Sequence, residues 1–269
     1  MASAFEQGTS IESLGGGRFA AEIPDGWQQG RGAFGGLVLG TLLRAIEASE
    51  GDRARVTRSL SGELCGPALP GPVEIVTTTL RRGHHVSNLE AQMIQNGEVV
   101  AHASALLGAP RNVTTPTYAD PVPPQVVAAP DWREVPVAAM PVPPAPVFTR
   151  HIEFRPTGPL PFAGGGKAEV HGYVRMRSAP TRIDGPALVG LLDAWWPSLF
   201  GLDGAPKMMA TVSFTAQLLV PPGTLAPEVP LYHTARMAGL RDGFFVEFRE
   251  LWSGDKLVAM NQQTMAVLG

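Results

Sequence analysis

The chain has 269 residues, 44% of them hydrophobic and 17% charged, enough for two domains that each bury a core. A net charge of −3 and scattered basic residues leave no electrostatic footprint for nucleic acid or an anionic membrane. One cysteine, Cys65, and six histidines without HExxH spacing exclude an internal disulfide and a thiolate metal cluster, and no metal site or cofactor is expected.

The opening residues lack a basic stretch followed by an apolar one, so no secretory signal is expected. The charge-free run 33–43 is too short to span a bilayer. The expected compartment is the cytoplasm. A strand is predicted over 18–23, then a Gly-rich turn. A helix follows over 34–48, with Leu37, Val38, Thr41, Leu42 and Ala45 at helical spacing. Strands are predicted over 54–65, 73–82, 86–95 and 98–107. Gly83 and Asn96-Gly97 divide the last three, and Asn-Gly is a strong hairpin signal. His84 and His85 fall at a hairpin turn, where they are expected to be solvated.

Residues 109–147 hold eleven of the 26 prolines. Proline cannot donate to a sheet ladder or sit inside a helix, so no regular structure is expected here. The reading is a linker over 111–147 between an N-terminal domain, 1–110, and a C-terminal domain, 148–269. A long surface loop inside one domain is the alternative.

The second half repeats the first. Strands are predicted over 150–155 and 167–177. A helix follows over 185–199, with Asp184 to cap it and Pro186 in its first turn. Four strands come next, over 208–220, 230–238, 244–252 and 256–267. Strand, helix, four strands thus occurs twice, an α+β pattern. The second helix is apolar all round, with Leu188, Val189, Leu191, Leu192, Trp195 and Trp196, so it must be buried. Two antiparallel sheets, each wrapping a central helix and packed as a pseudo-dimer, satisfy these observations: a double hotdog.

Asp193 conflicts with that helix. Its neighbours three and four positions away are Val189, Gly190, Trp196 and Pro197. A carboxylate there must be hydrogen-bonded, protonated or functional, unless it meets solvent at a seam or caps a loop. The last strand carries a polar patch, Asn261-Gln262-Gln263-Thr264, where the first half has Ala103-Ser104-Ala105. Strand alternation turns at least one of these side chains inward. Thr211 opens another strand beside apolar positions, with Ser213 and Thr215 on its face if the strand is regular. Strand propensity alone also accounts for a threonine there.

Several segments together resemble the type II acyl-CoA thioesterases and their thioesterase-like relatives. They are Arg31-Gly-Ala-Phe-Gly-Gly-Leu at the first helix, Ile94-Gln-Asn-Gly-Glu-Val-Val-Ala, Ala210-Thr211, and Val258-Ala259 before a glutamine. The resemblance implies a double hotdog that hydrolyses an acyl-CoA thioester, with Asp193, Thr211 and Gln263 positioning one water. Two departures stand out. Val212-Ser213-Phe214 replaces an Asp-His pair common in the family, and Gln262 adjoins Gln263, so a one-residue slip would exchange them. Gly35 and Gly36 are expected to meet the substrate through close backbone approach, with helix–sheet packing as the alternative. Phe34 and Trp196 are expected to meet the substrate, with Trp27 and Trp195 as further candidates for the acyl pocket. The first helix reads as free of buried acid, which makes its half a scaffold. A non-catalytic acyl-CoA or acyl-chain binding protein is the alternative function. The resemblance also implies self-association into a homo-oligomer.

Overall fold

The computed structural model describes residues 2–116, 118–164 and 166–268. The first half runs α1 (Ala4–Gly8), β1 (Ile11–Gly15), β2 (Arg18–Ile23), a two-stranded ribbon of β3 (Gln28–Gln29) and β4 (Gly32–Ala33), α2 (Gly35–Glu50), β5 (Val56–Leu64), β6 (Gly71–Arg82), β7 (Val86–Gln95) and β8 (Glu98–Gly108). After a short helix, α3 (Pro124–Val127), come β9 (Ile152–Pro156), β10 (Glu169–Met176), α4 (Gly185–Asp193), α5 (Leu199–Leu202), β11 (Met208–Leu218), β12 (Leu231–Arg241), β13 (Phe244–Ser253) and β14 (Lys256–Leu268).

Twelve strands form one antiparallel sheet in the order β1-β2-β6-β7-β8-β5-β11-β14-β13-β12-β10-β9. The two halves therefore join edge to edge, with β5 and β11 paired from Glu63 with Ser213 to Ser59 with Gln217. Joining them removes one exposed edge from each half. Strand order in one half mirrors that in the other, so the molecule has a pseudo-twofold axis through the β5–β11 seam. This is the α+β double hotdog, with α2 and α4 wrapped by the sheet and packed on each other.

Close approach of these helices depends on missing side chains. A Cβ at Gly36 would lie 2.9 Å from Gly190 Cα, and one at Gly40 would lie 3.4 Å from the Pro186 carbonyl oxygen. Phe5 of α1 covers the crossing, its ring 2.8 Å from where a Gly190 Cβ would stand. Neither α1 nor β1 was expected from the sequence. The helix is one capping box long, with Ser3 and Glu6 satisfying each other's backbone donors.

Two expectations need correction. The helix predicted over 185–199 stops at Asp193, because Pro197 cannot donate backward and biases the residue before it away from helix. Every residue of the helix that does form is buried, and Asp184 caps it by accepting the Ala187 N–H at 3.0 Å. The proline-rich stretch is not wholly irregular: Pro124–Val127 forms a helical turn, with proline where an N–H is dispensable.

That stretch also lies fixed along the second half. Val126 packs with Tyr232 and Trp252. The Trp132 ring faces the guanidinium groups of Arg133, Arg155 and Arg175. Arg155 donates to the carbonyls of Trp132 and Val135, and Ala138 N–H donates to Phe154 O at 2.8 Å. The strap thereby covers part of the outer edge of β9, the last strand of the sheet.

Candidate active site

Asp193 is the last residue of α4 and only 6% exposed. Gln263 donates its amide Nε2 to Asp193 Oδ1 at 3.1 Å, and Thr211 donates its hydroxyl to Gln263 Oε1 at 3.1 Å. The three residues named from the resemblance thus form one hydrogen-bonded chain. Alternation in β14 decides between the glutamines: Gln263 is fully buried, whereas Gln262 is exposed.

Thr211 reaches the inner face through a β-bulge. Thr211 pairs with Met265, but Ser213 pairs with Thr264, so the register shifts between them. Cross-strand partners share a face, and Met265 and Thr264 point to opposite faces. Ser213 therefore does not share the face of Thr211, contrary to the regular-strand expectation. Thr215 also lies on the outer face, opposite exposed Gln262.

The carboxyl of Asp193 meets the N-terminus of α2. Gly36 donates its backbone N–H to it, and a Cβ on Gly35 would stand 2.8 Å from Asp193 Oδ2. Gly35 admits the carboxyl, and Gly36 admits the opposing helix, a helix–helix contact in place of the helix–sheet packing expected as the alternative. Burial pushes the Asp193 carboxyl up from its ordinary range. Working against burial are the Arg249 charge, the Gly36 N–H and the Gln263 amide, while Glu247 adds to the rise. A carboxylate so placed can accept a proton from water, beside the positive end of a helix.

Trp196, three residues beyond Asp193, lines a groove of about 600 Å³. One wall is the strap, Pro136 to Met140, and the other includes Pro156, Thr157, Leu160 and Pro161. Phe34 is placed differently. It is fully buried at the N-cap of α2 and stacked on Phe148, ring centroids 4.2 Å apart. Trp27 stacks on His151, and Trp195 on His233. His84 and His85 are exposed, as the hairpin reading expects.

Sequence reasoning missed the buried pair Glu247 and Arg249, which lie on β13 directly beside the site strand. The one hint in the sequence is their place beside a strand with polar residues facing inward, since charges at alternate positions also mark a solvent-facing strand. The expectation that the first helix carries no buried acid is also overturned. Glu50 of α2 is buried, and Glu47, partly exposed as a residue, sends its carboxyl toward Gly185. Thr57 donates to Glu47 Oε1 at 2.7 Å, and burial pushes that carboxyl up to about 7. Both acids fall in the last turn of the helix, where the amphipathic pattern reads as a solvated end.

Comparison with known proteins adds a family. The description of an acyl-CoA thioesterase N-terminal domain matches residues 23–108, and that of an acyl-CoA thioesterase C-terminal domain matches residues 119–267. No curated protein matches the chain. Among solved structures, it is similar to a conserved hot dog fold protein of unknown function from Alicyclobacillus acidocaldarius. That match has 25% identity and a TM-score of 0.85 over 100% of this chain and 99% of the other. A putative thioesterase II from Thermobifida fusca YX is also similar, at 25% identity and a TM-score of 0.82 over 100% and 98%. An acyl-CoA thioesterase II from Mycobacterium marinum, at 17% identity and a TM-score of 0.74 over 98% of each chain, shares the fold.

Proposed function

The chain belongs to the acyl-CoA thioesterase family and is a thioester hydrolase, and from that premise we propose that it cleaves acyl-CoA with Asp193 as general base. The hydrogen-bonded chain Thr211–Gln263–Asp193 carries this reading. Asp193 accepts a proton from water, and the resulting hydroxide attacks the thioester carbon. The carbonyl becomes an oxyanion, then re-forms as the C–S bond breaks, and the leaving CoA sulfur takes the proton from Asp193. Gln263 fixes the carboxylate from one side, and Thr211 fixes the orientation of the Gln263 amide. The positive end of the α2 dipole lies beside the negative charge that develops. Hydrolysis by this route needs no covalent enzyme intermediate.

The groove at Trp196 receives the acyl chain in this reading. Its walls are mostly apolar, and its volume falls in the usual range for small-molecule sites. Thiol release from a panel of short, medium and long acyl-CoAs tests the proposal, with Asp193→Asn as the control. Turnover by the wild type that the variant matches would remove Asp193 as the base. No release from any chain length would remove acyl-CoA as the substrate.

A further inference from the structure

Behind Asp193 stands a buried ion pair with no counterpart in the first half. Arg249 is 1% exposed and Glu247 is fully buried. Arg249 Nη1 donates to the carbonyl oxygens of Leu192 and Asp193, each at 3.0 Å, and its Nε donates to Glu247 Oε1 at 2.7 Å. The other carboxylate oxygen, Glu247 Oε2, accepts the backbone N–H of Ser198 at 2.8 Å and its hydroxyl at 2.6 Å. Three segments are tied together this way: the last turn of α4, the turn that follows it, and β13.

The fold does not require this pair. The pairing register places Leu89 and Ala91 of β7 where β13 has Glu247 and Arg249, and the first half closes its core with them. A buried ion pair is often no more stabilising than apolar residues of similar size. Arg249 instead holds the two carbonyls that flank the Asp193 side chain, and Glu247 holds the turn that follows at Ser198. We propose that Arg249, locked in place by Glu247, is a positioning residue for thioester hydrolysis: it fixes the end of α4 and holds a permanent positive charge behind the Asp193 carboxylate. This rests on the reading of Asp193 as the base.

The groups facing Asp193 are few. Arg249 and Glu247 approach from β13, Gln263 from β14 and the Gly36 N–H from α2. His233 of β12 is buried, and burial with the nearby Arg249 charge pushes its ring well below the ordinary histidine range, toward the neutral form. Arg249 is therefore the cation that opposes the burial of Asp193.

The test is the pH profile of kcat and kcat/KM for four variants, with folding checked by circular dichroism and Tm. They are Arg249→Lys, Arg249→Met, Glu247→Gln and the paired Glu247→Gln/Arg249→Met. The paired variant leaves neither member of the ion pair behind as an unmatched buried charge. In Arg249→Met and the pair, kcat at neutral pH should fall by about 10- to 100-fold while KM stays nearly constant. The acid limb should move up by about one pH unit. Arg249→Lys should restore the limb while recovering only part of kcat, since an ammonium cannot span both carbonyls and Glu247. Folded variants with an unmoved acid limb would overturn the proposal, whatever their Tm. If Arg249→Met does not fold, the lysine and paired variants decide. Full activity in Asp193→Asn would instead overturn the base assignment, a separate outcome.

Discussion

In the first half, the inward row of β7 and β8 reads Leu89, Ala91, Ala103 and Ala105; in the second, β13 and β14 place Glu247, Arg249, Asn261 and Gln263 at the same stations. The correspondence follows from the register. Ala91 pairs with Ala103 as Arg249 pairs with Asn261, and Leu89 with Ala105 as Glu247 with Gln263. All eight residues are buried. One topology thus carries an apolar floor under one helix and a polar floor under the other. The pseudo-twofold axis supplies more than topology, however. The bulge after Thr211 recurs after Thr57, and Thr57 bonds the Glu47 carboxyl at the start of α4, much as Asp193 meets the start of α2. A carboxyl near a helix N-terminus and a threonine at a bulge therefore appear in both halves. What distinguishes the second half is the polar row beneath its helix.

The largest expected effect tests whether chemistry belongs to the second half alone. Asp193→Asn should lower kcat by about 10²- to 10⁴-fold with little change in KM for acyl-CoA, measured by thiol release. Because burial raises this carboxyl, its folded form holds a proton more readily than the unfolded chain. Its contribution to stability is full below the unfolded value and lost as pH rises from there through the raised folded value. The variant should therefore be no less stable than wild type at pH 8, by thermal melting.

Importing the first half's residue comes next. Gln263→Ala copies Ala105, and it should cost roughly 10- to 100-fold in kcat. Gln262→Ala, on the outer face, should cost nothing measurable in the same assay. Equal losses would mean that the inner row is not what separates the halves.

Glu47→Gln probes the mirror site. Its carboxyl is pushed up to about 7, so the folded state holds a proton that the unfolded chain releases near 4.5. Stability from this group is full below the unfolded value and lost as pH rises toward 7 and beyond. The variant should gain roughly 1–3 kcal/mol over wild type at pH 8 and almost nothing at pH 4, read by urea unfolding. Turnover should not change; a large loss would give the first half a share in the chemistry.

The smallest effect concerns the strap. Trp132→Ala removes one ring faced by three arginines, a loss of about 1–2 kcal/mol. Limited proteolysis should then cut within the strap sooner, and long-chain acyl-CoA should lose more kcat/KM than short-chain if the groove holds the acyl chain.

Much of this molecule was legible in its sequence. Alternation and turn residues located β2 and β7 at their observed ends, Arg18–Ile23 and Val86–Gln95, since local period and turn chemistry are short-range properties. Asp193 stood out because a carboxylate in an all-apolar helix is costly wherever that helix lies. Gln263 and Thr211 were less visible on their own and needed the family resemblance. Arg249 and Glu247 were missed because alternating charged residues look the same in a solvent-facing strand and in a buried one.

The sequence by itself determined the repeated strand–helix–strands unit, the apolar character of α4 and the acid within it, because each depends on neighbours a few residues apart. Only the tertiary structure decided that β5 and β11 join the halves, that a bulge turns Thr211 inward, and that Arg249 grips the end of α4. Those outcomes depend on register and pairing between segments far apart in the chain. A one-residue shift there moves a side chain to the other face without altering the local pattern.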